Sequence, residues 1–128
     1  MPTNQNNMPQ PLSRKEALEC IPLQNPRTEE EENQEGLLLT YPVEVKPFFH
    51  TLVKRVTGKD TSNIRRKIQL DQMGSSVWQL IDGQRSVRDI ATNFQRRHQL
   101  DNRESEISVT SFLKELGKRG LVAMKQKD

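Results

Sequence analysis

Few side chains in this 128-residue sequence are of a kind that does covalent or metal chemistry, and they are scattered. There is one cysteine, Cys20, and there are two histidines, His50 and His98. Cys20 precedes Ile21-Pro22, an apolar setting that favours an inert thiol over a low-pKa nucleophile. A lone cysteine also excludes an internal disulfide and a thiolate zinc site. The histidines are far apart and lack a clustered set of carboxylates and cysteines, so each reads as a surface or helix-end residue. Asp82-Gly83 resembles half of a carboxylate site, but a helix stop explains it fully. No GxGxxG, P-loop, HExxH or GxSxG occurs. The expectation is a protein with no catalytic constellation, cofactor or metal, hence not an enzyme.

A different chemistry, recognition by backbone and charge, has better support. The stretch from Lys67 to Met124 holds the only tryptophan and the clearest helix signals. Ile68 and Leu70 alternate with polar neighbours, the period of a short strand. Asp71 then suits a helix N-cap. Met73, Val77, Leu80 and Ile81 follow at helical spacing, with Trp78 beside them and Asp82-Gly83 as the stop. Ser86 and Asp89 form a capping box for a second helix whose apolar face is Val87, Ile90, Ala91 and Phe94. Asp101 caps a third helix carrying Val109, Phe112, Leu113 and Leu116, with Lys118 and Arg119 in its last turn and Gly120 beyond. Leu121 to Met124 is a strand-like exit. Helices this short must bury their stripes against one another and a sheet.

The first half reads as attachments to this unit. Residues 1–12, rich in Asn, Gln and Pro, are expected to be a disordered tail. Residues 13–128 form a single domain with an inserted segment, 44–66. Ser13 and Glu16 can cap one or two helical turns. A hairpin is expected from 21–28 and 37–43, with the prolines at a sheet edge and Lys67–Leu70 as third strand. Glu29 to Glu32 reads as a solvated strand end or turn. Phe49, Leu52, Val53 and Val56 give a short basic amphipathic helix over 48–56, suited to packing on the domain or docking on a membrane protein. The fold class is therefore α+β, winged-helix-like, a three-stranded antiparallel sheet followed by three helices.

Charge is unevenly placed. Residues 1–64 carry 7 basic and 9 acidic side chains, residues 65–128 carry 13 and 8, and the net is +3. That is too little to imply nucleic acid, and it fits an acidic partner weakly. No apolar run approaches 18 residues, so no membrane-spanning helix is expected. The N-terminus lacks the charged and apolar regions of a secretory signal, which makes the cytoplasm the default.

Lys67-Ile68-Gln69-Leu70-Asp71, Gly74, Val77-Trp78, Leu80, Asp82-Gly83, Ser86-Val87 and Ile90-Ala91, followed by Phe112-Leu113, Leu116 and Gly120-Leu121-Val122, resemble the PqqD-like family. The resemblance covers about residues 67–122. It implies a non-enzymatic recognition element that binds the leader of a ribosomally made precursor peptide and serves a modifying enzyme, often a radical SAM protein. It also implies that the leader adds as a strand along the third strand, beside the third helix. The 44–66 insertion, the proline-broken first strand and the long N-terminus depart from the shortest members.

Physical reasoning points to the same edge. A three-stranded sheet too small to close leaves an edge that a peptide can complete. The expected peptide-binding residues are Arg66, Lys67, Ile68, Gln69, Leu70, Ser108, Ser111, Phe112, Glu115 and Arg119, with ladder bonds from the Ile68 and Leu70 region. Arg65, Arg66 and Lys67 would favour an acidic peptide. Two other readings compete. One is an adaptor docking through 48–56 to a membrane or envelope complex. The other is a winged-helix DNA-binding regulator using Arg96, Arg97, Arg103, Lys114, Lys118 and Arg119. The sequence leaves the oligomeric state open.

Overall fold

The computed structural model describes residues 13–43 and 64–127. The elements in chain order are α1 (Arg14–Glu19), β1 (Ile21–Gln24), β2 (Glu29–Asn33), β3 (Gly36–Pro42), β4 (Arg65–Leu70), α2 (Gln72–Leu80), α3 (Val87–His98), α4 (Asn102–Lys118) and β5 (Val122–Lys125). The expected tail over 1–12 and the expected helix over 48–56 lie outside the described residues.

The caps work as their residue types require. Ser13 and Glu16 form a reciprocal box on α1, and Ser86 and Asp89 form one on α3. Asp71 accepts from the Gly74 amide at 2.7 Å, and Asp101 accepts from Glu104 at 2.7 Å. Each carboxylate satisfies an amide that the helix start leaves without an intrahelical partner. α2 stops at Leu80, and Gly83 takes a φ of 81° in the turn that follows, a conformation glycine enters without steric cost.

The hairpin is not the expected one. β2–β3–β4 form the three-stranded antiparallel sheet, and β1 pairs instead with β5 as a separate two-stranded ribbon. The strand preceding β3 is therefore Glu29–Asn33, the acidic run itself, and not 21–28. Its cause is the turn: Asn33 Oδ1 accepts from the Glu35 and Gly36 amides, both at 3.0 Å, folding the chain back within two residues. Gly36, at φ 146°, lies so near the β4–α2 junction that a Cβ there would sit 2.6 Å from Ser75 Oγ and 2.9 Å from the Asp71 carbonyl carbon. Ile21 and Pro22 were claimed by the far end of the chain, with Pro22 opposite Met124.

The core lies between the inner face of the sheet and α2, α3 and α4. Leu37, Leu39, Tyr41 and Leu70 meet Val77, Trp78, Ile90, Phe94, Val109, Leu113 and Leu116 there. Trp78 is fully buried. Its Nε1 donates to Glu30 Oε2 at 3.1 Å, which satisfies the one polar atom the ring carries inward. Ser75 Oγ accepts from the Leu37 amide at 2.9 Å, so a buried hydroxyl serves a strand end. The ribbon is tied in by the Val87 amide, donating to the Cys20 carbonyl at 2.9 Å, and by the Gln24 side chain, donating to the Trp78 carbonyl at 2.9 Å.

Candidate functional site

The alternation of an antiparallel ladder decides which backbone groups of β4 are already used. The Val43 amide donates to the Ile64 carbonyl at 2.9 Å, in the same register as Leu39↔Ile68 and Leu37↔Leu70. Bonded pairs recur every second residue, so Arg66, Ile68 and Leu70 turn their N–H and C=O groups toward β3. Arg65, Lys67 and Gln69 turn theirs away. Among the described residues no strand pairs with that outer side of β4. Within the Ile68 and Leu70 region, the groups left for ladder bonds are therefore those of the odd-numbered neighbours Lys67 and Gln69.

A cleft of about 420 Å³ runs along this open side. Ile68, Gln69, Leu70 and Asp71 form one wall, Met73, Gly74 and Val77 of α2 its end, and Phe94, Ser108 and Phe112 the rest. Met73 was expected in the core stripe of α2 but is 42% exposed at the rim, because α2 shows its first turn to the cleft. Gly74 lets the Phe112 ring lie against α2, since a Cβ there would stand 3.2 Å from Phe112 Cε1.

A second cavity, about 480 Å³, lies at the other end of the same strand and helix. Tyr41, Val43, Arg66, Gly117, Lys118, Arg119 and Gly120 line it. The Arg119 guanidinium donates to the buried Tyr41 hydroxyl at 3.2 Å. A further cleft of about 540 Å³ between α1 and α4 is crossed by the Arg14–Glu106 ion pair and borders no strand.

Of the residues expected to bind peptide, Ile68, Gln69, Leu70, Ser108 and Phe112 line the first cleft, and Arg66 and Arg119 line the second. Lys67, Ser111 and Glu115 line neither. The Lys67 side chain lies on the outer face of the sheet, leaving its backbone at the edge, and Glu115 is paired with Lys118 at 3.4 Å. Gln69 also points outward, donating to Asn33 Oδ1 at 3.1 Å, so what it offers the edge is its backbone. Met73, Gly74, Val77 and Phe94 were missed as cleft residues. The available signal was a glycine inside the amphipathic pattern of α2, which marks a close approach.

Elsewhere the chemistry is quiet. Burial, with Glu16 and Glu19 nearby, pushes the Cys20 thiol above its ordinary pKa, against thiolate reactivity. Backbone amides of Arg85 and Gln84 hold Asp82 below its ordinary value, as a turn carboxylate should be. Among the described residues no group of three His, Cys, Asp or Glu is placed to hold a metal ion, and no helix is long and apolar enough to cross a membrane. Cations for a duplex are spread along α4 from Arg103 to Lys118, roughly 22 Å apart at helical rise.

The family model described as coenzyme PQQ synthesis protein D (PqqD) matches residues 61–122. Over that stretch, just under half of its length, the chain is similar to the PqqD family. The matched stretch spans β4 and α2 to α4, the elements that build the open edge and the first cleft. β2 and β3, which complete the sheet of this PqqD-like chain, precede it. No curated protein and no solved structure matches the chain.

Proposed function

We propose that this PqqD-like protein is a non-catalytic peptide-binding module that holds a precursor or leader peptide for a modifying enzyme of the radical SAM type. The observation that carries the reading is the open edge of β4 beside an apolar cleft. Arg65, Lys67 and Gln69 each offer one N–H and one C=O to an added strand. Such bonds contribute only about 0.5–1.5 kcal/mol each net of water. An apolar side chain buried against Leu70, Met73 and Phe112 adds about 1.5–3 kcal/mol. The ladder therefore sets orientation while the cleft sets which peptide is taken.

The test is an NMR titration of the full chain with synthetic peptides encoded by short reading frames next to its gene. The expected result is that a binding peptide shifts and protects the Lys67 and Gln69 amides, and that Phe112→Ala weakens it about tenfold. Gly74→Ala should weaken it as well, by pushing Phe112 into the cleft, while leaving stability within about 1 kcal/mol of the parent. A peptide that binds tightly and leaves both amides unchanged would place the site elsewhere.

A further inference from the structure

The second cavity has a chemistry of its own. Arg66, Lys118 and Arg119 line it, Lys118 being paired with Glu115 at 3.4 Å, and no carboxylate lines it among the described residues. Among the described residues some arginines are paired, Arg65 with Glu29 at 3.2 Å and Arg85 with Asp82 at 3.0 Å among them, and others such as Arg96 and Arg97 are not. Arg66 and Arg119 make no ion pair among the described residues. The Tyr41 hydroxyl, on a side chain only 2% exposed, holds the Arg119 guanidinium in place. Gly117 and Gly120 leave the opposite wall without side chains. The end of α4 would repel an anion through its free carbonyls. Those of Glu115, Leu116 and Gly117 already accept from Arg119, Leu121 and Gly120.

Both cavities lie between β4 and α4, which run in opposite directions: Leu70 is level with Phe112, and Arg66 with Lys118 and Arg119. Arg66, Ile68 and Leu70 share one face of the strand. Resting on the reading above, we infer that the cavity at Arg66 is a subsite for an acidic side chain, and that the peptide taken carries an Asp or Glu four residues from its apolar anchor. Four residues of strand span about 13 Å and return to the same face. A spacing of three or five turns the carboxylate away.

The probes are acetylated, amidated ten-residue threonine peptides bearing one Leu, with Glu or Gln at three, four or five positions to either side, titrated into the full chain and followed by amide shifts. The Glu peptide at spacing four should bind about five- to tenfold tighter than its Gln counterpart. That advantage should shrink in high salt and vanish in Arg66→Gln, whose exposed side chain makes it safe for folding. Arg119→Glu, which places a carboxylate beside Arg66, should also abolish the preference for Glu over Gln. Equal affinity of Glu and Gln peptides, with Lys67 and Gln69 still shifting, overturns the subsite and leaves the groove standing. Tighter binding of a peptide whose free C-terminal carboxylate falls at that position overturns the side-chain assignment. No shift at Lys67 or Gln69 with any peptide overturns the groove and the subsite together.

Discussion

The two edges of the three-stranded sheet are built to opposite ends. β2 is five residues, four of them glutamate, and exposed along its whole length. A strand of like charges is a poor template for another chain. Its Glu30 and Glu32 share the inner face with Leu39 and Leu37, and Glu30 turns its carboxylate to Trp78 Nε1. β4 begins with three cations and ends apolar, and beyond its open side lies a cleft walled by Phe112 and Met73. One edge is closed by charge and committed to the core, and the other is, among the described residues, left unpaired beside apolar surface. An open edge in so small a sheet is a cost unless something completes it, which is why the proposed peptide is placed at β4 and not at β2.

The largest effect expected is from Trp78→Ala. It empties the space beneath the sheet and strands Glu30, and should lower stability by about 3–5 kcal/mol. A denaturation midpoint unchanged by this substitution would remove Trp78 from the core and detach β2 from it. Next come two proline substitutions one residue apart. Ile68→Pro deletes an amide that faces β3 and should cost about 2–3 kcal/mol. Lys67→Pro deletes one that faces outward and should cost less than about 1 kcal/mol, while abolishing peptide protection there. Equal costs would erase the distinction between the two sides of β4.

Glu30→Ala should cost about 1–2 kcal/mol by leaving the indole N–H unpaired, and Glu30→Gln should recover most of it. If both are neutral in urea denaturation, the acidic edge guards but does not hold. Acid has the smallest effect. Asp82 and Asp101 are held below their ordinary values chiefly by backbone amides, so the stability they supply is present above the usual carboxylate range. It is lost as pH falls below about 4. Glu104, held up by Asp101, titrates in the opposite sense and softens the slope. Asp82→Asn should flatten the dependence further, read from urea midpoints between about pH 5 and pH 3.

What could be read from residues alone was what local chemistry decides. The starts of α1 to α4 follow from Ser13, Asp71, Ser86 and Asp101, each within three residues of the amide it accepts from. The buried stripes of α3 and α4 follow from their spacing. Strand partners were harder. Ile21–Gln24 has the better strand propensity, yet it pairs with β5, roughly a hundred residues away in the chain. Glu29–Asn33 has poor propensity and pairs with β3 because Asn33 closes a two-residue turn. Of the residues lining the first cleft, Ile68, Leu70, Ser108 and Phe112 were legible through the strand and helix they sit on. Which amides of β4 are free was not, because that parity depends on a register three-dimensional pairing alone decides.

Amide hydrogen exchange along β4 in the peptide-free chain tests the central claim most directly. The account predicts alternation, with Ile68 and Leu70 slow and Lys67 and Gln69 fast by at least an order of magnitude. Uniform protection of all four would mean that the edge is already filled, and the proposed site would be wrong.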